Sequence, residues 1–324
     1  MADHFIVMNP FARHVRQNKT LRAKIASLVG RKSAVIETHT TTDMLNALSS
    51  LAKVRSLHDV TVYAVGGDGT FNQVLNWSMA QPETSRPRLM PVGGGQFNFM
   101  AKHVGLSSTD PSVNLAKIFS GEIQLVPKSW KPIRVEDSHS GESCHAAVVG
   151  NGLLVDTVEW YEEMGKGDMM NVTKLIASMI ADFAKHRVHG KYGRIKPTKG
   201  TVRVDGIDLP FNEFAAFMLG AVPKLLPGCA PFVETPNNKK FGTMIYWGGL
   251  SALAASVPML WTGQSSPLTE SSIFTKSAAR VEITTQDPRL LIDGDLLRWP
   301  TREPNVQRTL TATYGSPITL LYTN

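Results

Sequence analysis

Cysteine is scarce in this chain of 324 residues, which contains only Cys144 and Cys229. The spacing of the two residues matches no metal-binding pattern, so a metal site built from cysteine is excluded. We therefore expect a reduced, cytoplasmic setting in which both thiols are buried as small apolar side chains.

Clusters of charge are also lacking. Charged residues make up 19% of the chain and hydrophobic residues 42%, which is the composition of a folded globular protein rather than a disordered one. The formal net charge of +7 favours anionic partners. The basic residues are scattered, however, with no dense run and no interleaved aromatic pattern, so we expect no nucleic acid partner. The anionic partners that remain are a nucleotide and an acidic membrane surface.

An uninterrupted apolar segment that could cross a membrane is missing as well. Residues 241–269 contain no charged side chain, but a glycine pair and a proline interrupt them. This pattern predicts a buried strand at Thr243–Trp247 and a packed helix at Leu250–Leu260. The opening residues, MADHFIVMNP, have no basic start followed by an apolar run, so no secretory signal is predicted.

The most informative segment is residues 60–76, VTVYAVGGDGTFNQVLN. The apolar and β-branched residues predict a buried strand, the glycines predict a turn, and the residues after about Thr70 predict a helix. Glycines let backbone N–H groups approach an anion, and the positive end of the helix dipole points at the same place. The sequence therefore predicts a phosphate site formed by Gly66, Gly67, Gly69 and Thr70.

Asp68 lies inside this turn, where its carboxylate would repel a bare phosphate. The conflict is resolved if Asp68 acts through Mg²⁺ or accepts a proton from an attacking hydroxyl. Asp is also common in turns and at helix N-caps, so a capping role for Asp68 is the alternative.

The motif GGDGT followed by FNQVLN resembles the nucleotide-binding signature of the diacylglycerol kinase catalytic family, which includes bacterial lipid kinases and sphingosine kinases. NAD kinases share GGDGT, but the helix that follows it there lacks the Asn-(Glu/Gln)-Val-x-Asn pattern present at residues 72–76. Three further segments resemble the same family in the same order. They are HFIVMNP at residues 4–10, PVGGGQFNFMAKHVG at residues 91–105 and LLIDGD at residues 290–295.

The chain also departs from the family pattern in its glycine loops. The second glycine loop has two extra residues and carries Gln96 where the family usually has Thr. Phe99 stands where the family has Asp or His, and the opening turn at residues 9–13 lacks the usual small residues and glycines. These changes bear on metal geometry and nucleotide preference, whereas Asp68 and the glycines of GGDGT are retained.

The resemblance implies an enzyme that uses ATP and Mg²⁺ to phosphorylate a lipid hydroxyl, such as that of diacylglycerol. The implied nucleotide-binding residues are Asn9, Thr38, Thr42, Gly66, Gly67, Gly69, Thr70, Gly93, Gly94, Gly95 and Asn98. For Asn9 the alternative is an Asx turn, and for Asn98 it is a helix cap. Thr38 and Thr42 would otherwise be strand-end and capping hydroxyls.

Asp293-Gly294-Asp295 is the second acidic element. In a strand both carboxylates would face one side, because residues two apart share a face. Such close like charges raise at least one pKa unless a cation lies between them. The resemblance implies that Asp293 and Asp295 are catalytic together with Asp68, with one carboxylate as the general base, and that Asp68 and Asp295 are metal ligands. A simple Asp-Gly hairpin turn is the alternative.

Strand and helix signals alternate through residues 1–128. They predict an N-terminal doubly wound α/β nucleotide-binding domain, with both glycine loops at the carboxyl edge of a parallel sheet. Short strands with turn signals in residues 129–305 predict a C-terminal β-sandwich-like domain for the lipid acceptor. Residues 306–324 contain two strands, Thr309–Tyr314 and Ile318–Tyr322, which we expect to return to the first domain.

The expected protein is cytoplasmic and meets a membrane surface only peripherally. An apolar stripe at helical spacing between Val172 and Phe183 is expected to pack against the sheet of the second domain, with a lipid-facing role as the alternative. The sequence leaves open whether the chain is a monomer or a homodimer. Two other functions also remain open: a kinase for a soluble metabolite such as NAD, and a catalytically silent nucleotide-binding regulatory protein.

Overall fold

The alternation of strands and helices that the sequence predicts is present in a computed structural model of the chain. The structure describes residues 3–18, 20–29, 33–54, 56–163, 197–225, 230–248, 272–287, 289–298 and 306–324. The helices are α1 (Arg13–Gln17), α2 (Leu21–Val29), α3 (Thr41–Val54), α4 (Asp68–Met79), α5 (Phe99–His103), α6 (Pro111–Phe119) and α7 (Leu153–Glu163), with 3₁₀ turns at Leu57–Asp59 and Glu83–Ser85.

The strands follow the same chain order. They are β1 (Asp3–Met8), β2 (Ser33–Glu37), β3 (Val60–Gly66), β4 (Arg88–Gly94), β5 (Leu125–Trp130), β6 (Ile133–Asp137), β7 (Ser143–Ala146), β8 (Val148–Gly152), β9 (Thr198–Val204), β10 (Ile207–Asp208), β11 (Glu213–Phe214), β12 (Ala216–Gly220), β13 (Gly242–Tyr246), β14 (Ile273–Phe274), β15 (Arg280–Thr285), β16 (Arg289–Ile292), β17 (Asp295–Arg298), β18 (Arg308–Tyr314) and β19 (Ile318–Thr323).

The chain divides into two compact units. The first unit comprises the described parts of residues 1–132, 145–147 and 315–324, and the second comprises those of residues 133–144 and 148–314. The first unit thus extends slightly beyond the segment 1–128 that the strand and helix pattern marks, and its C-terminal part starts later than residue 306.

A largely parallel sheet forms the centre of the first unit, with the strand order β2-β1-β3-β4-β19-β5. Strands β1 to β4 run parallel, whereas β5 is antiparallel to β19 at the edge. Every residue of β3 is buried, as expected for a central strand that is covered on both faces. Ile6, Val62 and Leu89 have no exposed surface and mark the core of this sheet.

Local sequence signals explain where two of the helices begin. Thr40 accepts a hydrogen bond through Oγ1 from the backbone N–H of Asp43 (3.0 Å), and the Asp43 carboxylate accepts one from the N–H of Thr40 (3.1 Å). This reciprocal pair is a capping box at the start of α3. Asp110 caps α6 by accepting from the N–H of Ser112 (2.8 Å), and Pro111 occupies the first helical position, where its missing N–H costs nothing.

Two antiparallel sheets form the second unit. One has the order β10-β9-β15-β18-β6-β7, with β11 also paired to β9, and the other has the order β14-β13-β12-β8-β16-β17. The predicted fold class, a parallel α/β region followed by antiparallel β-structure, is therefore confirmed.

Only one of the two last strands joins the first unit. β19 pairs with β4 and β5, as expected, but β18 pairs with β6 and β15 in the second unit. The expectation that Thr309–Tyr314 returns to the first domain was wrong. The reason is visible in the burial of β18, where Leu310 and Ala312 are buried and the threonines that alternate with them are half-buried. Such alternating burial suits an antiparallel sheet with one covered face.

Some predicted features fall outside the described residues. They are the apolar stripe between Val172 and Phe183, the helix Leu250–Leu260 and Cys229. The strand predicted at Thr243–Trp247 is present as β13. No helix among the described residues is long and apolar enough to cross a membrane. Cys144 is half-buried and not fully buried as expected. Partial burial, and then the nearby charge of Asp293, raise the pKa of its thiol to about 12, so this thiol stays protonated.

A fully buried ion pair ties β6 to β18 in the second unit. Arg308 Nη1 lies 3.0 Å from Asp137 Oδ2, and neither side chain has any exposed surface. The Asp137 carboxylate also accepts hydrogen bonds from the backbone and hydroxyl of Ser140. Arg308 Nε and Nη2 have no hydrogen-bond partner among the described residues. Among the described residues, the guanidinium therefore has this single carboxylate as its counter-ion.

Replacement of Asp137 by Asn should destabilise the protein strongly, because it leaves the Arg308 charge buried without a counter-ion. The expected loss is about 3–5 kcal/mol in the free energy of unfolding, measured by urea denaturation. Asp208→Asn is the matched control, since Asp208 forms an exposed pair with Arg203 in the same sheet and its loss should change stability little. Equal effects of the two substitutions would contradict the special role of the buried pair.

Candidate active site

The turn between β3 and α4 has the geometry of an anion site. Gly67 is the N-cap of α4 in an extended conformation, and the helix begins at Asp68, two residues before the position expected from the sequence. The first intrahelical bond of this turn runs from the N–H of Phe71 to the carbonyl of Gly67 (3.2 Å). The N–H groups of Asp68, Gly69 and Thr70 precede this bond and have no carbonyl acceptor within the helix. They therefore point out of the helix at its positive end. An anion would be held there.

The two glycine loops touch each other through their backbones. The N–H of Gly95 donates to the carbonyl of Gly66 (3.2 Å). A Cβ atom on Gly95 would lie 2.4 Å from the Cα of Gly67, and one on Gly66 would lie 2.4 Å from Thr70 Oγ1. These distances leave no room for a side chain. Glycine at position 95 is therefore needed for the packing of one loop on the other, and glycine at position 66 for the closure of the first turn on Thr70.

Asn98 closes the second glycine loop on itself. Its Oδ1 accepts from the N–H groups of Gly94 (3.1 Å) and Gly95 (2.8 Å), and its Nδ2 donates to the carbonyl of Gly95 (2.9 Å). The side chain is buried, its backbone is left-handed at φ 54°, and it makes no capping bond to α5. Because Asn98 already takes the N–H groups of Gly94 and Gly95, these two amides are not offered to a ligand in this structure.

Asp68 caps α5 and not its own helix. Its Oδ1 accepts from the backbone N–H of Met100 (3.0 Å), at the start of α5, and the residue is only 8% exposed. Burial raises the pKa of Asp68 to about 6, although the amides at the start of α5 and the charge of Lys102 act in the opposite direction. The capping alternative is thus realised on an unexpected helix, and Asp68 links the first glycine loop to the helix that follows the second.

Asn9 lies where β1 ends and reaches the same turn. Its Nδ2 donates to Thr70 Oγ1 (3.1 Å), and its Oδ1 accepts from the N–H of Phe11 (2.9 Å). The second bond is the Asx turn that was the alternative for Asn9, so the residue forms this turn and also contacts the phosphate turn. Thr38 is buried at the end of β2, and Thr42 is exposed in the first turn of α3. The helix cap is Thr40.

Asn72 and Asn76 have a role that the sequence motif did not reveal. Both Nδ2 atoms donate to the carbonyl of His145 (2.8 and 2.9 Å), and Asn76 Oδ1 accepts from the N–H of His145 (2.8 Å). The two side chains, four residues apart, lie on one face of α4. They hold residues 145–147 within the first unit. The spacing in the sequence shows a shared helix face, but nothing in it identifies the partner.

Asp293 and Gly294 form a tight hairpin turn in the second unit. Both have positive φ, 51° and 93°, between the paired residues Ile292 and Asp295, as in a type I′ turn. Asp293 is buried, and its Oδ1 accepts from the N–H of Val148 (2.7 Å), whereas Asp295 is exposed. The structure thus shows the Asp-Gly hairpin turn that was the alternative, and the shared face expected for a strand does not apply, because Asp293 belongs to the turn.

The predicted residues therefore fall into two groups. In the first unit the structure brings together the ends of β1, β3 and β4, with Asn9, Gly66, Gly67, Asp68, Gly69, Thr70, Gly93, Gly94, Gly95 and Asn98. Thr38 lies beside them at the end of β2, where its N–H donates to the carbonyl of Met8 (2.9 Å). Asp293 and Asp295 lie in the second unit.

Comparison with known proteins agrees with this geometry. Residues 3–127 match the sequence model of the diacylglycerol kinase catalytic domain, which confirms for this segment the resemblance seen in the motifs. A crystal structure of a diacylglycerol kinase from Bacillus anthracis str. Sterne covers 99% of this chain and 97% of its own, with 15% identity and a TM-score of 0.64. A second structure of a proposed diacylglycerol kinase from the same organism has a TM-score of 0.65 at 15% identity, with the same coverage.

At this level of identity the structural likeness shows a common fold. No curated protein matches the chain. The kinase assignment therefore rests on the domain match over residues 3–127. The comparisons do not identify the molecule that accepts the phosphate.

Replacement of Gly95 by Ala should disturb the first glycine loop, because the added Cβ meets the backbone of Gly67. We expect shifted amide NMR signals for residues 66–70 and a destabilisation of about 1–3 kcal/mol. Gly121→Ala is the control, since its positive φ strains the new residue while no atom lies within 4 Å. Unshifted signals of residues 66–70 in the Gly95→Ala protein would contradict the close packing of the loops.

Asp68 should make the protein less stable as the pH rises, which is opposite to the effect of most carboxylates in folded proteins. Its pKa is raised on folding, so the folded state binds the proton more tightly than the unfolded chain does. The resulting stability is present below about pH 4 and is lost as the pH rises to about 6. Relative to Asp68→Asn, the wild-type free energy of unfolding should fall by about 3 kcal/mol at most across this range. Urea denaturation at several pH values measures the difference, and a constant difference would contradict the raised pKa.

Proposed function

We propose that this protein is an ATP-dependent lipid kinase, which transfers the γ-phosphate of ATP to the hydroxyl of diacylglycerol or of a similar lipid. The observation that carries the proposal is the glycine turn at the N-terminus of α4, whose geometry suits an anion and which lies within the segment that matches the diacylglycerol kinase catalytic domain. Phosphoryl transfer requires mainly that the phosphates be positioned and their charge compensated. A helix N-terminus beside glycines meets the first requirement.

The phosphates of ATP would be bound by the N–H groups at the start of α4. Gly66, Gly67 and Gly69 offer backbone without side chains, and Thr70 offers its hydroxyl. Asn9 donates to that hydroxyl and so orients it. In this proposal the second glycine loop contributes shape more than hydrogen bonds, because Asn98 occupies the amides of Gly94 and Gly95.

Mg²⁺ would be held mainly by the nucleotide. No group of three or more His, Cys, Asp or Glu side chains suited to a metal ion occurs among the described residues. Mg²⁺ in nucleotide sites commonly uses one or two carboxylates together with the phosphates and water, and Asp68 is the carboxylate beside the phosphate turn. When bound, Mg²⁺ would compensate the negative charge of the phosphate oxygens.

The acceptor hydroxyl needs a base, and Asp293 and Asp295 are the candidates. Asp295 is exposed and able to meet a substrate, whereas Asp293 is buried and holds its turn to Val148. Within this proposal Asp295 serves as general base or second metal ligand, and Asp293 positions it. The net charge of +7 would favour an acidic membrane surface, where the lipid acceptor resides.

One structural observation and one departure in the sequence favour a second function, a catalytically silent nucleotide-binding regulator. The Asp68 carboxylate is buried and engaged with α5, and Phe99 takes the place of an Asp or His. Such a protein would bind ATP without transferring phosphate. A kinase for a soluble metabolite such as NAD is the other alternative, and it would be active in the absence of lipid.

The test is the transfer of labelled γ-phosphate from ATP, with Mg²⁺, into a mixed lipid extract. We expect label in an organic-phase product with the wild-type protein and a loss of at least about 100-fold with Asp68→Asn or Asp295→Asn. Asp208→Asn, an exposed carboxylate elsewhere in the second unit, should leave the transfer unchanged.

The controls separate the three functions. ATP binding without any transfer supports the silent regulator and contradicts the kinase. Label that enters an added pool of soluble metabolites without lipid supports a metabolite kinase. Transfer to lipid that survives in Asp68→Asn would show that this carboxylate has only its structural role at α5.

A further inference from the structure

Two exposed phenylalanines follow strands of the parallel sheet at its carboxyl edge. Among the described residues, Phe11 and Phe97 are the aromatic members of the exposed large hydrophobic side chains, at 62% and 41% exposure. Phe11 follows β1, and Phe97 follows β4. Folding alone gives no reason to place a large aromatic ring in water. Both rings instead lie at the edge where α/β sheets bind ligands.

The position of Phe11 is the more specific of the two. In the order β2-β1-β3-β4, the chain leaves β1 toward β2 on one side, while β3 begins the other half of the sheet. The connections after β1 and β3 therefore run in opposite directions and leave a crevice between them, which is the usual ligand position in such sheets. The turn that carries Phe11 and the phosphate turn border this crevice, and the Asn9–Thr70 hydrogen bond joins them.

The ring of Phe11 is held in place and yet open to solvent. Its backbone N–H donates to Asn9 Oδ1 (2.9 Å). Its ring meets the imidazole of His39, which follows β2, edge to face with the ring centroids 5.7 Å apart. A fixed aromatic ring with most of its surface free is the arrangement that stacks on a flat heterocycle.

The distance to the phosphate turn suits a nucleotide. Phe11 lies two residues after Asn9, so their Cα atoms are at most about 7 Å apart, and Asn9 contacts Thr70 directly. We propose that Phe11, supported by His39, stacks on the base of a nucleoside triphosphate whose phosphates lie at the start of α4. The inference rests on the proposed nucleotide site and adds the residue that recognises the base. It also gives a role to one of the chain's departures from the family pattern.

The test compares two probes, MgATP and magnesium tripolyphosphate, which carries the phosphates without a base. Isothermal titration calorimetry gives the Kd of each probe for the wild type, Phe11→Ala, Phe11→Trp and Phe97→Ala. We expect Phe11→Ala to raise the Kd of MgATP about tenfold or more, with no change for tripolyphosphate. Phe11→Trp should restore MgATP binding, because it retains an aromatic face. Phe97→Ala should bind both probes like the wild type.

Three other outcomes of the calorimetry overturn the inference. An unchanged MgATP affinity in Phe11→Ala, or equal losses for both probes, would show that the ring does not contact the base. A loss confined to Phe97→Ala would assign the base to the other loop. If the wild type binds neither probe, the proposed nucleotide site fails and the stacking role fails with it. If the wild type binds both but transfers no phosphate to lipid, only the kinase activity fails, and the Phe11→Ala result still decides the stacking.

Discussion

Backbone contact between the two glycine loops is the constraint on which the rest of the site depends. Gly66 and Gly95 share a hydrogen bond, and Gly95 lies so close to Gly67 that no Cβ atom fits between them. This contact places the second loop beside the N-terminus of α4, where the helix dipole and free N–H groups favour an anion. Asp68 also joins the two loops, because its carboxylate accepts a hydrogen bond from the N–H of Met100 at the start of α5, the helix that follows the second loop.

Several buried or half-buried polar side chains of this protein form hydrogen bonds with backbone groups. Asn98 accepts hydrogen bonds from two amides of its own loop, and Asp293 accepts one from the amide of Val148. Asn72 and Asn76 donate to the carbonyl of His145, and Asn76 also accepts from its N–H. A buried polar group must find a partner, and a turn rich in glycine exposes many amides that serve as one. Within the first unit, Asn98 therefore shapes the second glycine loop without offering its amides to a ligand, and the proposed phosphate site uses the N–H groups at the start of α4.

Much of the fold could be predicted from local patterns. The strands and helices around GGDGT occur close to the expected positions because an uninterrupted apolar run, a glycine turn and helical spacing each act over a few residues. The position of the proposed anion site follows from the same pattern, since a helix that starts after a glycine turn presents its N–H groups there. The limits of this reasoning appear at the last strands. β18 and β19 have similar composition, and only pairing partners distant in the chain place them in different units.

By itself, the sequence determined the α/β character of the first unit, the glycine turn at the start of a helix and the resemblance to diacylglycerol kinases. Tertiary structure decided what each polar residue contacts. Asp68 meets an amide 32 residues away and Asp293 one 145 residues away, so no pattern within a turn or a helix could identify these partners. The physical reason is that backbone propensity and side-chain periodicity are local, whereas the satisfaction of a buried carboxylate depends on which distant segment folds against it.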